Sequence, residues 1–181
     1  VDDSKVHWQE SIDSMYSWSV QWELPVSVEK TKVLHIGNKN PKNVYTVNGT
    51  VMGGCDTVRD LGFTVTSSLT FADHCKRIVA AAKRRTYNMF KTLKLKNKFT
   101  WIKVYKTYIR PIVESGCTVF NSERMCVKAI ESVQNDFTRK LFMRLGGYTY
   151  CKIPSAEFRN KKLGLHSLEK KRNIFDLIII H

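Results

Sequence analysis

Acidic side chains are scarce in this sequence: 16 Asp and Glu stand against 30 Lys and Arg, a formal charge of +14. That shortage makes an acidic, metal-rich module a poor reading and favours a polyanionic partner, because each phosphate neutralised by Lys or Arg releases condensed counterions. Long apolar runs are also missing. The longest, Leu177-Ile178-Ile179-Ile180, is far too short to span a bilayer. No charged-then-apolar signal segment is read at the start, so a soluble, intracellular protein is expected. The cysteines, Cys55, Cys75, Cys117, Cys126 and Cys151, are odd in number and include no C-x-x-C pair. Neither a disulfide framework nor a zinc site is therefore expected, and they read as packed, reduced thiols. What is present is ordinary globular material: 181 residues, 43% hydrophobic and 25% charged, enough for one large domain or two small ones. The sequence opens at Val1 and stops within an apolar helical run, and it is expected to be a fragment.

The charge is uneven. Residues 1–70 hold 6 basic and 8 acidic groups, whereas residues 71–181 hold 24 and 8. Within the second part, residues 71–110 carry 12 basic groups against the single acid Asp73, the strongest electrostatic footprint in the chain. The pattern of apolar residues changes at the same place. Trp8, Ile12, Met15, Ser19 and Trp22 predict a helix ending before Pro25. Extended segments follow at 32–36, 44–47, 50–52 and 58–65, the middle two joined by Asn48-Gly49, whose residues suit the positive φ of a type I′ turn. From Phe71 the period is helical. Ile78, Val79, Ala82, Thr86, Met89, Phe90 and Leu93 form one stripe, and Trp101, Val104, Tyr105, Tyr108, Ile109 and Ile112 a second. Ile130, Val133, Phe137 and Leu141 form a third, stopped by Gly146-Gly147, and a fourth helix runs from Leu165 or His166 onward. The expected fold is α+β, with a small hairpin-containing sheet in residues 1–70 and a basic helical bundle in 71–181.

Asp2-Asp3 is the first candidate for chemistry, since adjacent carboxylates in a tight strand–turn can hold a divalent metal for phosphoryl transfer. By itself the dipeptide reads more simply as two solvated acids. His74 beside Cys75 lacks further ligands at zinc-like spacing and reads as a packing or helix-start residue. Trp18, Trp22, Trp101, Tyr105 and Tyr108 read as core rather than as base-stacking platforms. Arg110, before Pro111, reads either as a phosphate ligand or as a helix-end cap.

Several short blocks occur in a telling order: Asp2-Asp3-Ser4-Lys5-Val6; Trp18-x-x-x-Trp22-x-Leu24; Lys30-Thr31-x-x-Leu34; Val58 to Phe63; Leu69-x-Phe71-x-x-His74; Tyr105 to Glu114; Ile130 to Gln134; and Leu163-Gly164-Leu165-x-Ser167-Leu168-Glu169-x-x-Arg172. In this order they resemble the C-terminal palm and thumb of reverse transcriptases from non-LTR, LINE-type retrotransposons. The resemblance implies that Asp2 and Asp3 belong to the catalytic acid pair and contribute to a Mg2+ site. It also implies that Lys30 assists the departing pyrophosphate and that Leu61-Gly62 is the primer-grip turn. The basic helices would hold the RNA template and DNA primer through phosphates, with Lys76, Arg77, Lys83, Arg84, Arg85, Lys91, Lys94, Lys103, Lys106 and Arg110 as the contacting groups. A nuclear location, and dNTP binding in the complete enzyme, are further implications. Ser27 departs from the family's usual Asn, and Asp3 to Trp18 is shorter than usual. The other palm aspartate and the fingers lie outside this sequence, so the chain alone is not expected to polymerise DNA. The alternative is a non-enzymatic, basic nucleic-acid-binding module from a decayed element.

Overall fold

Residues 3 to 21 contain neither proline nor glycine, and they form one helix, α1 (Asp3–Gln21). Its covered face is Gln9, Ile12, Tyr16 and Ser19. The expected helix is therefore present, but its stripe is turned: Trp8, Met15 and Trp22 are exposed. Gln9 explains the rotation. Its Nε2 donates to the Thr46 carbonyl at 2.8 Å while its Oε1 accepts from the Thr46 N–H at 3.0 Å. Both polar groups of one strand residue are satisfied by one side chain that a count of apolar positions passes over.

The computed structural model describes residues 3–120 and 124–180, which pack as two compact units, Val1–Thr70 and Phe71–His181, in an α+β arrangement. In the first unit three two-stranded sheets accompany α1. Strands β1 (Lys32–Leu34) and β4 (Gly53–Cys55) pair in parallel. Strands β2 (Thr46–Val47) and β3 (Thr50–Val51) form the expected hairpin, and Asn48 and Gly49 at its tip have φ of 49° and 72°. Strands β5 (Thr57–Asp60) and β6 (Phe63–Thr66) form a second antiparallel hairpin, Val58 opposite Val65. Few side chains are buried in this unit: among the described residues, Ser19, Val47 and Met52 lie below the surface.

The second unit is helical: α2 (Ala72–Thr92), α3 (Lys98–Val104), α4 (Arg110–Glu114), α5 (Cys117–Phe120), α6 (Arg124–Gly146), α7 (Ala156–Leu163) and α8 (Leu168–Ile180). The stripe expected on α6 is buried in full, Ile130, Val133, Phe137 and Leu141 all being inaccessible. Against it lie aromatic rings from α2 and α3. Phe90 stacks on Trp101 with centroids 4.3 Å apart, and the Tyr105 and Phe137 rings stack at 4.5 Å.

The second expected stripe needs correction. Trp101, Tyr105, Ile109 and Val113 are buried, a strict four-residue repeat that an ordinary helix of 3.6 residues per turn cannot keep on one side. A π-turn at Tyr105–Ile109 supplies the extra residue, with the Arg110 N–H donating to the Tyr105 carbonyl. Pro111 accounts for it, since its ring has no N–H for the carbonyl four residues back and crowds it. The widened turn swings Tyr108 into solvent.

Helix α7 is an element the sequence reading omitted. It is capped at its start by Ser155, whose Oγ accepts from the Phe158 N–H, and ended by Gly164 at φ 62°. Buried Arg159 holds it, donating from Nε to Thr138 Oγ1 and from its terminal nitrogens to the Pro154 carbonyl and Asn135. None of the five cysteines is in a disulfide, and Cys75, Cys117 and Cys126 are buried. No helix among the described residues is long and apolar enough to cross a membrane.

Candidate nucleic-acid interface

Successive residues of a helix turn by about 100°, so the side chains of α2 sort by position. His74, Cys75, Ile78, Ala82, Thr86 and Phe90 are buried along one side. Lys76, Lys83, Arg84, Tyr87 and Lys91 are exposed and fall within an arc of roughly 100° on the other. Burial of the first set forces display of the second. Arg85 is exposed but lies off this arc, because three consecutive residues cannot share one helix face.

The ten basic residues singled out from the sequence differ in how committed they are. Lys76 pairs with Asp73 at 3.0 Å, Lys83 with Asp136 at 3.3 Å, and Arg110 with Glu114 at 2.9 Å. Arg110 is largely covered and its side chain is engaged by Glu114 within its own helix, which speaks against a phosphate contact. Arg77 donates to Nδ1 of His74 at 3.1 Å. Because a guanidinium only donates, that ring nitrogen accepts, and the imidazole is neutral with its proton on Nε2. Burial, and secondarily the Arg77 charge, hold the His74 pKa below its ordinary value. The remaining six, Arg84, Arg85, Lys91, Lys94, Lys103 and Lys106, are exposed and have no carboxylate at ion-pair distance among the described residues.

Helix α6 supports α2 through three successive rungs. Lys83 meets Asp136, the Lys140 ammonium lies 5.7 Å from the centre of the Tyr87 ring, and Arg144 donates to the Phe90 and Leu93 carbonyls at 2.6 and 2.7 Å. Residue numbers rise together along both helices, so the two run parallel. The last rung satisfies carbonyls that the end of α2 leaves open.

Three of the blocks quoted above, Tyr105 to Glu114, Ile130 to Gln134 and Leu163 to Arg172, supply joints of this unit. Tyr105 donates its hydroxyl to Gln134 Oε1 at 2.9 Å, and Gln134 Nε2 donates to the His166 carbonyl at 2.9 Å. The Leu168 N–H donates to Glu131 Oε2 at 2.8 Å, and Arg172 Nη2 donates to the Val113 carbonyl at 3.2 Å. Burial raises the Tyr105 pKa, keeping the phenol a donor, and also raises that of Glu131. Buried polar groups linked in this way are costly when broken, so the blocks have a structural reason to be spelled as they are.

In the first unit, Leu61 and Gly62 form the tip of the β5–β6 hairpin with φ of 45° and 89°. Leu61 is 91% exposed. A leucine held in a left-handed conformation and offered to solvent costs stability without burying its side chain. Lys30 closes a single 3-10 turn, Val28–Lys30, and is exposed. Asp2 lies outside the described residues, and Asp3 begins α1 instead of occupying a strand–turn. Among the described residues no three His, Cys, Asp or Glu are grouped to hold a metal ion. The aromatic expectation divides. Trp101 and Tyr105 are core, while Trp18, Trp22 and Tyr108 are exposed. The sequence reading missed Tyr87, although its place between Lys83, Arg84 and Lys91 was visible in the spacing.

No family model and no solved structure matches the chain. An uncharacterised protein of Caenorhabditis elegans is 24% identical over 105 residues, covering 58% of this chain and 50% of that protein. The chain thus spans about half the length of the curated relative it matches.

Proposed function

We propose that the helical unit grips a nucleic-acid duplex through its phosphates, as the thumb of a LINE-type RNA-directed DNA polymerase whose palm ends in the first unit. The observation that carries this reading is the α2 surface, where unpaired Arg84 and Lys91 share an arc with Lys76 and Lys83 while the opposite side is locked into the core. Phosphate contact of this kind is independent of sequence, which suits a surface that must track any template–primer. The strained, exposed tip at Leu61-Gly62 supports a primer-grip role, since such strain concentrates where a segment meets a ligand. Magnesium, dNTP, the leaving-group role of Lys30 and a nuclear location belong to this proposal by family resemblance alone.

Two experiments test it. The full chain is titrated against a recessed RNA–DNA template–primer hybrid, and the combined Arg84→Ala, Lys91→Ala and Lys94→Ala variant is expected to bind on the order of tenfold or more weakly at low salt. Unchanged affinity would remove the assigned surface. In a longer polypeptide that contains this sequence and extends primers, Asp2→Ala is expected to abolish extension; undiminished synthesis would sink the metal-ligand role. Binding by the chain together with no such role would favour the non-enzymatic module.

A further inference from the structure

The helical unit sequesters many of its aromatic rings in the core, yet Tyr87 and Tyr150 stay 57% and 65% exposed. Neither is loose. The Lys140 ammonium sits 5.7 Å from the centre of the Tyr87 ring, and the Arg139 guanidinium sits 5.2 Å from that of Tyr150. Arg139 also donates from Nη1 to the Tyr150 hydroxyl at 3.0 Å. The two cations are neighbours on α6, so the two rings are held by adjacent residues of one helix. Each ring thus has a basic group against it, on a residue more than half exposed to solvent.

We infer that Tyr87 and Tyr150 are stacking platforms for unpaired bases, giving the helical unit a binding mode for single-stranded nucleic acid beside its grip on duplex phosphates. The inference rests on the phosphate-grip reading for its partner class and adds to it the strand that is recognised. A surface with this excess of Lys and Arg attracts polyanions. An aromatic face adds affinity only for a polyanion whose own flat faces are free, which a duplex hides and a single strand offers. The cation behind each ring strengthens the arrangement in two ways: it fixes the ring before binding, so less ordering is lost, and it supplies charge for the neighbouring phosphate.

The test uses the full chain with an unstructured 20-nucleotide RNA carrying 2-aminopurine and, separately, the blunt hybrid of that RNA with its complementary DNA. Wild type is expected to bind both and to quench 2-aminopurine in the single strand. Tyr87→Ala with Tyr150→Ala should weaken single-strand binding roughly five- to a hundredfold and abolish the quenching, since stacking carries that much per base. The loss on the hybrid should be markedly smaller than on the single strand, and the salt slope should not change, because no charge is removed. Tyr87→Phe with Tyr150→Phe keeps both rings and should bind as wild type does. Alanine variants that bind and quench like wild type would overturn the stacking role, as would an equal loss on both ligands. So would wild-type binding of polyglutamate as tight as that of the RNA, which would assign the surface to acidic protein segments. If wild type bound neither nucleic acid, the phosphate-grip reading itself would fall; an intact salt slope with tyrosine-insensitive binding sinks this inference alone.

Discussion

Leu61 sets the terms at the scale of single residues. It occupies the first central position of a two-residue hairpin turn, a position that suits Asn or Gly, at φ 45°. Leu61→Asn is expected to raise stability by about 1 kcal/mol, read as a higher urea midpoint with an unchanged slope. A lower midpoint would mean the leucine side chain is worth more to the fold than its exposure suggests. His74 gives a prediction in pH. Its folded pKa lies below the ordinary value of about 6.5, so the neutral ring stabilises the fold above that pH and the contribution is lost as pH falls through the lowered value. Thermal midpoints of wild type should therefore drop more steeply below about pH 6.5 than those of His74→Gln. Parallel curves would show that the imidazole charges without penalty.

At the scale of elements, the link between α7 and α8 turns on Gly164. A Cβ there would meet nothing within 4 Å, so the cost of Gly164→Ala comes from its left-handed backbone alone and is expected to be about 1 kcal/mol. Equal stability by chemical denaturation would contradict that cap. Tyr105→Phe removes the donor to Gln134 between α6 and the π-turn, and should cost about 1–3 kcal/mol because the amide oxygen stays buried. The elements differ in how openly the sequence spells them. The Asn48-Gly49 hairpin was legible because its two residues are the ones positive φ favours. Helix α6 was legible because nothing interrupts its stripe. The phase of α3 to α4 was not, because a stripe is read at 3.6 residues per turn and Pro111 imposes a wider one. Helix α7 was missed because its chief anchor is Arg159, a residue type read by default as solvated.

Across the whole molecule, two compact units differ in how they are held. The first hides few side chains and leaves apolar groups of α1 exposed, whereas the second combines an aromatic core with buried polar joints. That the second unit displays most of these basic residues was legible from the spacing of its apolar partners, covered Arg110 being the exception. Which of them are already neutralised was not, since Lys83 meets Asp136 only once α2 and α6 are packed. The chemistry expected at Asp2 gains nothing from the fold described, and the case for nucleic-acid contact rests on the second unit.

The most direct measurement is the affinity of the full chain for a template–primer hybrid across a range of salt, for wild type and for Arg84→Ala, Lys91→Ala and Lys94→Ala combined. The account predicts a steep fall of log K with log salt, made shallower by roughly one unit for each phosphate contact removed. A wild-type affinity that ignores salt, or a slope the three substitutions leave untouched, would contradict it.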